Sequence, residues 1–160
     1  MSWTILRNSW YFENLLMESD PILASRQWFS AAGDARMANI ARADLALAAA
    51  AALAKDDYSN RTYTLTGSEA LTTAQLATLL SDISAKSITV VPITDEQKQA
   101  GMEQAGLPPV IAKALASFDT NTRQGHVAQV TEDFKQLTGR APQTYKDWFN
   151  KNRSLLKPAS

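Results

Sequence analysis

The chain opens with a run of strand-forming residues that passes directly into a helical pattern. Residues 3–7 are rich in aromatic and β-branched side chains and predict a strand. Asn8 and Ser9 follow and are suited to cap a helix, which the pattern predicts over residues 10–17. A strand, a tight turn and a helix in this order are typical of an α/β unit. No other feature of the sequence constrains the fold class as strongly.

The remaining elements alternate in the same way, so the sequence predicts a helix-rich α/β fold. Pro21 is expected to end the first helix, and Thr72 begins a capping-box pattern. Thr94 and Thr144 are each expected to cap a later helix. We expect a polar loop over residues 56–61, a loop or lid over residues 120–130 and a frayed tail over residues 155–160. Further strands are predicted over residues 27–31, 36–40, 62–67 and 88–93, and further helices over residues 45–55, 73–86, 95–101, 110–118, 129–137 and 145–152.

Charge and cysteine content argue against several classes of function. The chain has 16 Lys and Arg residues and 16 Asp and Glu residues, so no excess charge favours nucleic acid or an anionic membrane. With no cysteine and one histidine, His126, it has neither thiolate chemistry nor a His-rich metal site. The longest apolar run, residues 45–54, is shorter than the ~20 residues that span a bilayer. We therefore expect a cytoplasmic protein without a signal peptide, a metal site, or a nucleic-acid or membrane partner.

Familiar catalytic motifs do not occur in the sequence. It has no Gly-x-Ser-x-Gly elbow, and its six glycines are too scattered to form a phosphate-binding loop. None of the four tyrosines is followed four residues later by the lysine that completes the proton relay of ordinary short-chain dehydrogenases. The catalytic residues therefore stay unassigned at this level.

The unusual feature that remains is a polar and aromatic stretch at residues 7–14, between the first strand and the first helix. Ligands of open α/β sheets bind beyond the carboxyl ends of the strands, and free N–H groups at a helix start can receive an anionic or amide group. Trp10 and Tyr11 could also stack on a planar ring. The alternative is an ordinary capped amphipathic helix whose aromatic side chains only fill the core.

Several blocks, in this order and at this spacing, resemble the NmrA-like atypical short-chain dehydrogenases/reductases, of the NAD(P)H:quinone oxidoreductase 2 and triphenylmethane reductase type. The block at residues 3–14 is the most specific of them, and the resemblance covers the whole chain. The blocks are WTILRNSWYFEN (3–14), AAGD (31–34), ARADLA (41–46), YTLTG (63–67), LTTAQLA (71–77) and TGRAPQTY (138–145).

This resemblance implies a fold and a cofactor. The chain would form the C-terminal part of a Rossmann-like NAD(P)-binding fold, with a small substrate-binding subdomain, as a single domain over residues 1–160. The family's Gly-x-x-Gly-x-x-Gly dinucleotide-binding half has no counterpart in these residues, so we expect NAD(P)H binding by this chain alone to be weak or absent. By motif position, the cofactor- or substrate-facing residues would be Asn8, Ser9, Trp10, Tyr11, Phe12, Glu13, Asn14 and Arg42.

Three functions are compatible with this resemblance. The first is the substrate-binding part of an NAD(P)H-dependent quinone or dye reductase, whose ligand would be a small planar molecule such as a quinone. The second is a non-catalytic binding or redox-sensing regulatory module, and the third is a truncated inactive homologue. Because the strand at residues 3–7 carries no proline and no charge before Arg7, we expect its edge to pair with a Rossmann-type chain or with a second copy.

Overall fold

The strands form three separate pairs in the computed structural model, which describes residues 2–55 and 60–156. Two of the pairs are parallel, as expected of an α/β fold, and the third, shortest pair is antiparallel. The strands are β1 (Thr4–Asn8) with β4 (Arg61–Leu65), β2 (Gln27–Ser30) with β6 (Thr89–Pro92), and β3 (Arg36–Met37) with β5 (Leu71–Thr72).

Helices make up most of the rest of the described chain. The predicted helix-rich α/β class is confirmed, although the strands are shorter than the sequence pattern indicates. The α-helices are α1 (Leu16–Ser25), α2 (Arg42–Ala54), α3 (Thr73–Ser84), α4 (Asp95–Gln104), α5 (Pro109–Arg123), α6 (Asp133–Thr138) and α7 (Tyr145–Lys151), with 3-10 helices at Phe12–Leu15 and Arg153–Leu156. Residues 56–59 of the predicted polar loop and residues 157–160 of the predicted tail lie outside the described residues.

The helix predicted from residue 10 begins two residues later, as the 3-10 helix Phe12–Leu15 that continues into α1. The Ser9 N–H donates to the Leu65 carbonyl and extends the ladder between β1 and β4, and the Phe12 N–H donates to the Ile40 carbonyl. These long-range hydrogen bonds hold the backbone extended, so neither Asn8 nor Ser9 caps a helix. The 3-10 helix begins at Phe12 after Tyr11, which makes no side-chain cap.

Pro21 does not end the first helix, because it lies inside α1. A proline at this position removes one helical hydrogen bond, which ordinarily costs about 3 kcal/mol. The following residues, Ile22 and Leu23, are buried in the core, and their burial offsets that cost. The helix ends at Ser25, after which Arg26 adopts a left-handed conformation.

The predicted loop over residues 120–130 is shorter than the sequence suggests, because α5 continues to Arg123. The Arg123 guanidinium reaches the Asp95 carboxylate at 2.6 Å, and this ion pair ties the last turn of α5 to the first turn of α4. The tail prediction is also wrong at Leu156, which is 2% exposed and packs in the core.

Local capping signals are confirmed where the partners are close in sequence. Thr72 and Thr94 each form a capping box, with Gln75 and Gln97 respectively. The Thr144 hydroxyl likewise accepts from the Asp147 N–H at the start of α7. These contacts span only three residues, so they depend little on the rest of the fold.

Two hydrophobic clusters form the core. The larger one joins α1, α3 and α7, and its most deeply buried side chains include Leu23, Leu80 and Phe149. The smaller one packs α2 against β4 and α6 around Tyr63 and Phe134. Strand β1 lies at the margin of the smaller cluster, and only its Leu6 side chain is partly buried there.

Gly67 is a position where the fold requires glycine for steric reasons. Its N–H donates to the Ala38 carbonyl, and a Cβ atom at this position would lie 2.1 Å from the Asn39 carbonyl oxygen. The segment after β4 can therefore approach residues 38–39 closely only in the absence of a side chain.

We expect Gly67→Ala to lower the free energy of unfolding by about 3 kcal/mol, because the added methyl group must displace backbone. Gly101→Ala is the matched control, since nothing lies within 4 Å of a Cβ there and the residue is inside α4. The control should be neutral or more stable by up to about 1 kcal/mol. Urea unfolding followed by circular dichroism measures both values, and equal effects would contradict this account.

Candidate functional site

A cavity of about 110 Å³ lies beyond the carboxyl end of β1. We call it the aromatic cavity, because the rings of Trp10, Tyr11, Trp28, Phe118 and Tyr145 line it. They come from the segment after β1, from β2, from α5 and from α7. The cavity is thus assembled from parts of the chain that are far apart in sequence, at the edge where α/β proteins bind ligands.

Trp10 is, together with Phe118, the most exposed aromatic residue of this cavity. Its ring lies 4.1 Å from the Phe118 ring and 6.2 Å from the Tyr11 ring, centroid to centroid. Both Trp10 and Phe118 remain 38% exposed despite this contact. Such partly open aromatic faces can stack on a planar molecule.

An ion pair forms one wall of the aromatic cavity. The Lys98 ammonium lies 2.8 Å from the Asp119 carboxylate, and the two side chains are only 10% and 15% exposed. The Ala31 N–H donates to the same Asp119 oxygen at 2.7 Å. Since the carboxylate is held by the β2 terminus as well, the lysine is fixed in position and still has two N–H groups to offer.

Glu18 also faces the aromatic cavity, from α1. Burial raises the pKa of its carboxyl above the ordinary value, and the positive charge of Lys98 offsets only part of this effect. The site therefore contains a carboxyl group that retains its proton more readily than a surface glutamate.

A second polar group in the cavity is built from Asn39 and Tyr145. The Asn39 amide nitrogen donates to the Tyr145 hydroxyl at 2.8 Å. Burial raises the pKa of that hydroxyl, which is therefore neutral at physiological pH, while the Asn39 hydrogen bond acts in the opposite direction. Within the described residues, the buried Asn39 Oδ1 and Asn14 Nδ2 atoms have no hydrogen-bond partner.

Of the residues expected to face cofactor or substrate, Trp10, Tyr11 and Asn14 line the aromatic cavity. Asn8 and Ser9 lie at the end of β1, where the Ser9 N–H is already bonded to Leu65. The free N–H groups expected at this helix start are therefore not available at Ser9, nor at Phe12, which bonds to Ile40.

The other three expected residues lie elsewhere. The Phe12 side chain is 1% exposed and packs against Tyr145 in the core, with ring centroids 3.8 Å apart. The Glu13 carboxylate accepts from the Arg42 N–H at the start of α2 and from the Trp148 indole N–H. The Arg42 side chain is exposed. The segment at residues 7–14 therefore combines residues that line the cavity with residues that support the fold.

Several residues of the aromatic cavity could not be found from the sequence. Lys98 and Asp119 belong to separate helices, α4 and α5, and no motif links them. Glu18 lies in α1, and no sequence motif singles it out. Tyr145 is part of the block at residues 138–145 that resembles the family, which was the one available signal.

The described residues hold no group of three or more potential metal ligands. His126 is exposed and makes a hydrogen bond to Asn121. In the part of the chain that the structure covers, no helix is long and apolar enough to cross a membrane.

Comparison with known proteins gives a consistent set of relatives. No protein-family model matches the chain. Quinone oxidoreductase 2 of Escherichia coli is 32% identical over 142 residues, which are 89% of this chain and 50% of that protein. The NAD(P)H azoreductase of Xenophilus azovorans is 28% identical over 92% of this chain and 52% of the relative.

Solved structures agree with the sequence matches. An NADPH-dependent quinone oxidoreductase from Escherichia coli superposes with a TM-score of 0.89 at 30% identity, covering 94% of this chain and 55% of that one. The chain is a homologue of the C-terminal half of NmrA-like atypical short-chain dehydrogenases/reductases. The triphenylmethane reductase of Citrobacter sp., in complex with NADP(H), gives a TM-score of 0.85 at 26% identity over 94% of this chain and 53% of that one.

The fold of this chain matches part of these Rossmann-like reductases, as the resemblance implies. The chain spans about half the length of the curated relatives it matches. In the segment after β1, Trp10 and Asn14 line the aromatic cavity, whereas Glu13 is held by hydrogen bonds to Arg42 and Trp148.

Glu13→Ala should lower the free energy of unfolding by about 2 kcal/mol, because it leaves the buried Trp148 N–H without an acceptor and uncaps α2. Glu132→Ala is the control. Its side chain is 70% exposed and its ion pair with Lys135 is long, so we expect a change below about 0.5 kcal/mol. Urea unfolding compares the two variants. A small effect of Glu13→Ala would contradict the structural role of Glu13 and leave its carboxylate available to a ligand.

Proposed function

We propose that this chain is the substrate-binding part of an NAD(P)H-dependent oxidoreductase that reduces a small planar molecule such as a quinone or a dye. The observation that carries the proposal is the aromatic cavity at the carboxyl end of β1, in a chain that superposes on quinone and dye reductases. This similarity to reductases favours an enzyme part over a non-catalytic regulatory module.

The cavity offers suitable contacts to the nicotinamide end of a dinucleotide. The buried Asn14 amide nitrogen is an unused donor in the described structure, and a carboxamide oxygen is an acceptor of matching chemistry. Tyr11 supplies an aromatic face for the nicotinamide ring, which would lie at the margin of the cavity and leave its interior to the substrate ring. Bound there, the cofactor would supply a hydride.

The pyrophosphate end of a dinucleotide finds no such contacts. Phosphates in this fold class are held by a glycine-rich turn at a helix start, and the glycines of this sequence are scattered. A Rossmann-type unit would therefore have to supply most of the binding energy for NAD(P)H.

The exposed edge of β1 is suited to receive that unit. Among the described strands, β1 pairs only with β4, so its other edge has unpaired backbone groups. Trp3 and Ile5 are 46% and 50% exposed, which leaves apolar surface beside that edge. A parallel strand from a Rossmann-type unit would satisfy the backbone groups and cover these side chains.

On the substrate side, the residues of the cavity bind and orient. Trp10 and Phe118 can stack on the substrate ring, and the fixed Lys98 ammonium can donate to a carbonyl oxygen. The Tyr145 hydroxyl and the Glu18 carboxyl also line the cavity, and burial raises the pKa of each, which favours its protonated form.

The test joins this chain to the N-terminal half of the Escherichia coli quinone oxidoreductase 2. The chain alone should bind NADPH more weakly than about 1 mM by calorimetry, because its phosphate contacts are missing. The chimera should bind NADPH and reduce a benzoquinone. In the chimera, Trp10→Ala should raise the KM for the quinone about tenfold through loss of stacking.

Leu53→Ala is the control for this experiment, because Leu53 is 86% exposed on α2 and does not line the aromatic cavity. It should leave KM and kcat unchanged. A folded chimera that binds NADPH but reduces no quinone or dye would refute the proposed function. Tight NADPH binding by the chain alone would refute the need for a Rossmann-type unit.

We further propose that the chain alone self-associates through β1, when no Rossmann-type unit is present. Ile5→Lys puts a charge beside the open edge and should weaken self-association at least about tenfold. Val110→Lys, at an exposed position on α5, is the control and should leave association unchanged. Light scattering over a concentration series measures both, and a wild-type chain that stays monomeric would contradict the proposal.

A further inference from the structure

A second concave surface adjoins the aromatic cavity. We call it the apolar cleft, and its volume is about 550 Å³. It lies between α1, β2 and α4, and its apolar lining includes Ile22, Phe29, Ile93 and Met102. Phe29 is 46% exposed there, so a large aromatic side chain of the described fold faces this open space.

The two spaces share a wall. Glu18, Trp28 and Lys98 line both the aromatic cavity and the apolar cleft. Glu18 and Lys98 are also the charged residues of the cleft lining. Among the residues that line the cleft, charge is therefore confined to the junction with the aromatic cavity.

Size indicates that the aromatic cavity cannot hold a whole ligand. An apolar cavity of about 150 Å³ accommodates a single benzene ring, whereas sites for larger organic ligands measure about 300–1,000 Å³. The aromatic cavity, at about 110 Å³, therefore has room for at most one ring. The apolar cleft, at about 550 Å³, falls within the range of a larger site.

We propose that the aromatic cavity and the apolar cleft form one continuous binding site for an elongated amphiphile, with a carbonyl-bearing ring in the cavity and an alkyl chain in the cleft. The nature of the ring rests on the proposed quinone- or dye-reducing function, whereas the alkyl chain is assigned from the cleft alone. Lys98 is a positioning residue at the junction, because its bond to Asp119 fixes a donor where ring and chain meet.

The experiment uses the intact chain and two quinones that differ only in a chain: 2,3-dimethoxy-5-methyl-1,4-benzoquinone and its 6-decyl derivative. Calorimetry should show that the decyl compound binds at least about tenfold more tightly, because each buried methylene contributes to affinity. Nonanol serves as a third probe, with a chain and no quinone ring.

Gly101→Leu fills the cleft without backbone strain. Gly101 lines the cleft inside α4, and nothing lies within 4 Å of a Cβ at this position. Replacing glycine in a helix also favours folding. The variant should bind the decyl quinone about tenfold more weakly and the chainless quinone within about twofold of wild type.

Ala100→Leu is the matched control, because it adds the same side chain at the neighbouring, exposed position of α4, outside the cleft lining. It should bind both quinones like the wild-type chain. Equal affinities for the two quinones in the wild-type chain, or no effect of Gly101→Leu on the decyl compound, would overturn the continuous site while leaving quinone binding intact.

The nonanol probe separates failure of the two proposals. If neither quinone binds but nonanol binds and Gly101→Leu weakens it, the chain-binding cleft stands and the quinone-reducing function fails. If none of the three probes binds, both proposals are overturned. Circular dichroism and urea unfolding of each variant ensure that a lost affinity reflects the filled cleft in a folded chain.

Discussion

The structure depends on the backbone of Ile40, which is bonded on both sides by the segment after β1. Its N–H donates to the Trp10 carbonyl, and its carbonyl accepts from the Phe12 N–H. This pairing keeps residues 9–11 extended beyond the strand, so the helical backbone begins only at Phe12. As a result Phe12 enters the core while Trp10 and Tyr11 turn to the aromatic cavity. The pairing of Ile40 with this segment therefore separates side chains that fill the core from side chains that line the cavity.

Polar contacts between side chains join α4 to α5. Helix α4 has no buried residue, yet Lys98 bonds to Asp119 and Asp95 bonds to Arg123, so α4 and α5 are joined by two ion pairs. The Lys98 pair is largely shielded from solvent and is therefore less screened than the Arg123 pair. The same ion pair places the Lys98 ammonium in the cavity wall, so this contact both holds the wall together and gives it a hydrogen-bond donor.

Sequence reasoning succeeded where the governing contact is local. The capping boxes at Thr72 and Thr94 and the cap at Thr144 follow from residues three positions apart. It failed at Pro21, where burial of the next two residues outweighs the lost helical hydrogen bond. It failed again at Ser9, because the Leu65 carbonyl that takes its N–H is distant along the chain.

The amino-acid sequence by itself determined the α/β class, most helix starts and the resemblance of residues 3–14 to a reductase family. Hydrophobic periodicity, helix caps and family motifs all depend on residues that are close together in the sequence. Only the tertiary structure decided that Trp10 and Asn14 face a cavity while Phe12 and Glu13 support the fold. It also decided that Glu18, Lys98 and Asp119 meet. The physical reason is that these outcomes depend on hydrogen bonds and packing between segments that are far apart in the chain, and local sequence carries no record of such contacts.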